Sequence, residues 1–87
     1  MPNFPLKRIV CVLWDDITTF NSGWTSPDDA ARTSHLTPVL TVGYVLEDTP
    51  RILKLAMMQA MANDGEVGVT CTIPKGVIRR MKVLKGI

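Results

Sequence analysis

Arg51-Ile52-Leu53-Lys54-Leu55-Ala56-Met57-Met58-Gln59-Ala60-Met61-Ala62, residues 51–62, decides the fold of this chain. Its residues are mostly strong helix formers, and Thr49 before Pro50 offers an N-cap and a first helical position. The surroundings argue the other way. A tight turn, Glu47-Asp48-Thr49-Pro50, precedes the segment, and Asn63-Asp64-Gly65 follows with a hairpin signal leading into Val67–Ile73. Five strands make a coherent small β-barrel, whereas three strands and this helix make a poorer one. Residues 51–59 are therefore read as a strand against their own propensity.

Lys7–Trp14 is β-branched, apolar and continuous, the pattern of a strand buried on both faces. It is expected to stop at Asp15-Asp16. Val39–Glu47 reads as a second strand of the same kind, with Gly43 marking a bend or bulge. Val67, Val69, Cys71 and Ile73 alternate with Gly68, Thr70 and Thr72, as a half-buried strand does. After Pro74, Gly76–Arg79 fits one helical turn, and Arg80–Leu84 fits a closing strand with Met81 and Val83 inward. Between the first two strands lies a polar excursion, residues 15–38, with one short helix at about 27–34. Ser26 is its N-cap, Pro27 its first residue, and Asp28 and Asp29 lie in its first turn. Trp24 is expected to pin this excursion to the barrel through its indole. The fold class is thus mainly β: one domain, residues 1–87, with five strands, one short helix and a helical turn before the last strand.

Eighty-seven residues give a thin core. Yet 46% of them are hydrophobic, and strands apolar on both faces offer more than one small interior can bury. The surplus points to a homo-oligomer. Cys11 and Cys71 lie in apolar runs without partners at metal-ligand spacing and read as free thiols in a reducing compartment. No apolar run reaches the length of a membrane span, and Met1–Pro5 lacks the order of a signal peptide, so a cytoplasmic protein with no membrane partner is expected. No cofactor is expected.

Net charge is only +2, but its distribution is uneven. Residues 15–48 carry six acids and one base, whereas residues 75–87 carry Lys75, Arg79, Arg80, Lys82 and Lys85 and no acid. Such a tail can hold an anion: Arg79 and Arg80 can grip phosphate bidentately, while Lys75 and Lys82 add point charges. Trp14, Trp24 and Tyr44 could stack on a base. A solvated basic edge that resists aggregation is the plainer reading of the same residues. No glycine-rich phosphate loop is present, which excludes a Walker-type nucleotide enzyme. Asp15 and Asp16, being adjacent, point to opposite faces of a strand and make a poor catalytic pair. His35, the sole histidine, reads as a surface or capping residue, and the methionines 57, 58 and 61 as packing. No catalytic or metal motif emerges, so the chain is read as non-enzymatic.

This layout resembles the Sm-like and Src-homology-3-like small barrels, which have five strands and a short helical turn between the fourth and fifth. More narrowly, Trp14-Asp15-Asp16, Gly23-Trp24, Val42-Gly43-Tyr44-Val45-Leu46, Leu53-Lys54-Leu55-Ala56, Asp64-Gly65 and Ile73-Pro74-Lys75-Gly76-Val77-Ile78 resemble a family of small proteins of tailed bacteriophages and prophages. That resemblance implies a phage origin, the host bacterial cytoplasm and a barrel; it supplies no active site. Sm-like RNA chaperones bind RNA near the turn before their last strand, but Pro74–Ile78 lacks the lysine–histidine pair of the bacterial members. The leading expectation is host-defence evasion by sequestering a nucleotide signal. The alternatives are a protein-interaction module, either an inhibitor of a host enzyme or a virion accessory, and an RNA-binding ring.

Overall fold

A computed structural model describes residues 8–18, 23–33, 35–62 and 65–84. Five antiparallel strands form one sheet: β1 (Ile9–Asp16), β2 (Thr37–Asp48), β3 (Ile52–Gln59), β4 (Val67–Pro74) and β5 (Ile78–Leu84). A short helix α1 (Pro27–Thr33) lies between β1 and β2, and a 3-10 turn (Lys75–Val77) joins β4 to β5. The spatial order is β4-β3-β2-β1-β5. Among the described residues β4 and β5 do not pair, so the expected barrel closure is absent and the sheet keeps two edges.

Residues 52–59 are a strand because pairing outweighs propensity. β3 is held on both sides, by Tyr44, Val45, Glu47 and Asp48 of β2 and by residues 67–74 of β4. Its alternation then sends Leu53 and Leu55 into the core, which a helix of the same residues could not do with strands on either flank. The turn before it is locked by Thr49, whose Oγ1 accepts hydrogen bonds from the N–H groups of Arg51 (3.2 Å) and Ile52 (3.1 Å). On the other side, Gly65 takes φ +65° and its N–H reaches the Ala62 carbonyl at 3.2 Å; Asn63 and Asp64 of the expected hairpin turn lie outside the described residues.

The sheet curls so that one face closes on itself. Val10 and Val12 of β1 meet Leu53 and Leu55 of β3 and Ile73 of β4, all fully buried, with Trp14, Val45, Met57, Cys71, Val77 and Ile78 packed around them. The curl needs Gly43. A Cβ there would stand 2.9 Å from the Ala56 carbonyl oxygen and 3.2 Å from Leu55 Cβ. Gly43 thus serves a close approach of backbones, and the bulge in β2 falls later, between Val45 and Glu47.

Several expectations shift. β1 ends at Asp16 as read, though Asp15 and Asp16 are themselves part of it and pair with Pro38 and Thr37. β2 is longer than expected, and β5 starts at Ile78, with the 3-10 turn at 75–77 instead of 76–79. In β4, Ile73 is buried, but Val67 and Val69 stay exposed, and Val69 has φ +52°, the left-handed region that a β-branched residue rarely adopts. The expected inward alternation therefore fails over the first half of β4. The α1 cap forms as read: Asp29 N–H donates to Ser26 Oγ at 3.2 Å, and Asp29 also pairs with Arg32 one turn on. Trp24 does not pin the excursion. Its indole is fully exposed, beside Gly23 at φ +110°.

Candidate functional site: a cationic, apolar face of the sheet

Register sorts the candidate residues by face, because directly paired residues of neighbouring strands project to the same side. Val10 and Val12 define the core side. On the opposite side, successive rungs run Arg80–Leu13–Leu40, then Lys82–Cys11–Val42, then Leu84–Ile9–Tyr44–Ala56. Rungs on one face are about 7 Å apart, two residues of strand. The result is a column of cations beside two apolar columns, with Tyr44 one rung from Lys82. Leu40 and Val42 are 69% and 51% exposed, large values for apolar side chains in the middle of a sheet. Cys11, Leu13, Leu40, Arg80, Met81 and Lys82 line a shallow groove of about 330 Å³.

The remaining candidates lie elsewhere. Arg79 is the extra residue of a β-bulge: Leu13 pairs with Arg80 and Trp14 with Ile78, so Arg79 has no direct opposite number. Its guanidinium faces Asp15 at 3.7 Å. Lys75 sits at the far end of the sheet, where it pairs with Asp48. Its backbone N–H also donates to the Arg51 carbonyl at 2.8 Å, so Lys75 ties the 3-10 turn to the β2–β3 turn. Trp14 is on the core side and donates from Nε1 to Thr41 Oγ1 at 2.9 Å. Trp24 is on the excursion before α1. The structure therefore brings Arg80 and Lys82 together at the groove, places Tyr44 on the same face but two strands away and outside the groove lining, and separates Arg79, Lys75, Trp14 and Trp24 from them. Lys85 lies outside the described residues.

No protein-family model matches the chain, and no curated protein or solved structure matches it either.

Among the described residues Arg80, Lys82 and, in the β2–β3 turn, Arg51 meet no carboxylate within ion-pair distance, whereas Arg8, Arg32, Lys54, Lys75 and Arg79 each do. Two cations over an apolar floor attract an anion that also carries an apolar or planar part. Sequence reasoning missed the floor. Leu13, Leu40 and Val42 carry no chemical motif, and only the register shows that they share a face with Arg80 and Lys82. Among the described residues no three metal-ligating side chains cluster, and no helix is long and apolar enough to cross a membrane.

The Lys75–Asp48 pair predicts a pH effect on stability. The Lys75 hydrogen bond, reinforced by the Lys75 and Arg8 charges and opposed by desolvation, holds Asp48 below its ordinary value of 3.8. A carboxyl depressed in the folded state contributes stability above the unfolded value and loses it as pH falls through the folded one. Asp48→Asn is thus expected to lower the urea midpoint at pH 7 and to lose that difference in acid below pH 3.8, read from paired unfolding curves.

Proposed function

We propose that this is a non-enzymatic binding protein that captures a small anionic ligand, a nucleotide, on the outer face of its sheet. The observation that carries the reading is the pair Arg80 and Lys82, without a carboxylate partner among the described residues and set against the groove floored by Cys11, Leu13 and Leu40. Phosphate would lie on the two cations and the base along the apolar floor towards Tyr44. A volume of about 330 Å³ is at the lower end of the range for ligand sites and suits a molecule of nucleotide size. In the setting implied by the phage-like motifs, the role is sequestration of a host defence signal in the bacterial cytoplasm. The strand order, with a 3-10 turn between the fourth and fifth strands, supports an Sm-like small barrel in which that turn spans the gap. Exposed Val67 and Val69, on the β4 edge away from the groove, favour self-association.

Arg80→Glu is expected to weaken nucleotide binding by about tenfold to a hundredfold, the scale of losing one charge-assisted contact, without lowering the melting temperature. Arg79→Ala, which removes a guanidinium already facing Asp15, is expected to change binding by less than about threefold. Isothermal titration with a panel of mono- and dinucleotides reads both, after native mass spectrometry of gently purified protein has shown whether a ligand is retained. Equal effects of the two changes would sink the assignment to this face. A bare protein that binds no nucleotide would favour the protein-interaction reading, for which exposed Leu40 and Val42 are the observation. Affinity only for RNA, falling steeply with salt, would favour the RNA-binding ring.

A further inference from the structure

We propose that the free edge of β5 accepts an extended, acidic segment of another protein as a sixth strand of the sheet. Among the described residues β5 pairs with β1 alone, so one side of its backbone offers N–H and C=O groups without a strand partner. Seven residues, Ile78–Leu84, make an edge long enough for a whole added strand.

The side chains specify what would fit. On the core side Met81 and Val83 pair with Val12 and Val10, which are fully buried, yet Met81 and Val83 are themselves 39% and 55% exposed. The core ends one strand short of covering them. An added strand with apolar residues at alternate positions would extend it. On the other side Arg80 and Lys82 stand without carboxylate partners among the described residues, and the intervening residues of an added strand would lie directly opposite them. Opposite charges in that position stabilise pairing and like charges oppose it. An alternating apolar–acidic segment satisfies both faces at once, with backbone hydrogen bonds giving affinity and side chains giving choice.

A second copy of this chain fits less well. Pairing β5 with another β5 would set Arg80 and Lys82 against the same cations. The β4 edge is neutral on its outer face, with Gly68, Thr70 and Thr72, and its backbone is interrupted at Val69, where φ is +52°. Of the chain's own described acids, Asp15, Asp16, Glu47 and Asp48 lie in paired strands and Asp28 and Asp29 in α1, and Glu66, just before β4, is a single acid that cannot supply an alternating acidic strand.

The test uses the full chain with synthetic peptides of about eight residues, a common strand length. One alternates Val and Glu. A second has the same sequence with backbone N-methyl groups at alternate positions, which keep the charge but block strand hydrogen bonds. A third replaces Glu with Lys. The Val/Glu peptide is expected to bind and to slow hydrogen exchange at the amides of residues 79–83. N-methylation should weaken it by at least about tenfold, since several backbone hydrogen bonds are lost together. The double variant Arg80→Glu, Lys82→Glu, its fold verified by unchanged exchange at Val10 and Val12, should reverse the preference towards the Lys peptide. Equal binding of the N-methylated peptide would overturn the proposal in favour of simple anion attraction, the property that nucleotide capture needs. Failure of every peptide to bind would overturn it without touching the nucleotide reading. Protection of residues 79–83 without peptide, rising with protein concentration, would overturn it in favour of a second copy.

Discussion

Leu55→Ala is expected to lower the free energy of unfolding by about 2–5 kcal/mol, the range for truncating a fully buried leucine. Leu55 has no exposed surface, lies in a strand paired on both sides, and stands opposite Val45 on one flank and Cys71 on the other. Its side chain meets the core in the same cluster as Val10, Val12, Leu53 and Ile73. Both neighbouring strands are fixed by their ladders, so the cavity cannot easily collapse. Domains of this size have only about 5–15 kcal/mol in total, and each kcal/mol lost moves the melting temperature by about 4–8 °C. The measurement is urea unfolding followed by tryptophan fluorescence. Trp14 packs against this core, whereas Trp24 is exposed from the start and adds a nearly constant signal. Leu40→Ala is the comparison: at 69% exposure it should cost less than about 0.5 kcal/mol. A Leu40→Ala loss as large as that of Leu55→Ala would mean that the outer face is covered in solution, and would count against a ligand groove there.

Gly43→Val is the second large effect, and it is expected to abolish folding. The glycine is buried where β2 crosses closest to β3. Even a single added carbon would stand 2.9 Å from a backbone oxygen, Ala56 O, and 3.2 Å from Leu55 Cβ. Met57 Cε, at 3.3 Å, could swing away, but the carbonyl belongs to the ladder and cannot move without breaking the Tyr44–Ala56 pairing. Overpacking of this kind costs about 1–3 kcal/mol for a modest insertion, which is the expectation for Gly43→Ala. Valine adds two further methyls at the same place. Gly68→Ala is a matched control, because its new Cβ would meet only the Met58 side chain, its terminal methyl at 3.0 Å and its Cβ at 4.0 Å, and that side chain is exposed. Circular dichroism and thermal melts of the three variants should rank Gly68→Ala above Gly43→Ala, with Gly43→Val lacking a cooperative transition. A folded Gly43→Val protein would mean that β2 and β3 do not approach as closely as described.

Much of this fold is legible in single residues. Val10 and Val12 announce a buried strand through β-branching. Ser26-Pro27-Asp28-Asp29 announces a helix start because each residue meets a local need of the first turn, and the hydrogen bond from Asp29 to Ser26 forms as those residues imply. Glycine at 43 reads as a bend or bulge, but what requires it is the Ala56 carbonyl across the sheet, which only the structure shows. The candidate site is less legible. Arg79 and Arg80 look equivalent as neighbours in a basic tail. A one-residue bulge opposite Leu13 and Trp14 sends Arg79 to Asp15 and leaves Arg80 over the groove. Lys75 looks like a phosphate ligand until the β2–β3 turn brings Asp48 to it from 27 positions away in the chain.

Local chemistry is enough for the strand-forming runs, the capped helix, the turns at Thr49 and Gly65, and the separation of acidic from basic stretches. Each depends on residues within a few positions of one another, so no distant partner is needed. Tertiary structure decided three things. It holds Ile52–Gln59 in the strand that the flanking turns imply and the residues' own propensity opposes, because hydrogen bonds and burial gained from two flanking strands exceed the small preference of those residues for helix. It chose which aromatic enters the core, burying much of Trp14 and leaving Trp24 in water, since the face of a side chain is set by register. And it joined Arg80 and Lys82 to an apolar floor from two other strands, since a face of a sheet is written across strands and never along one.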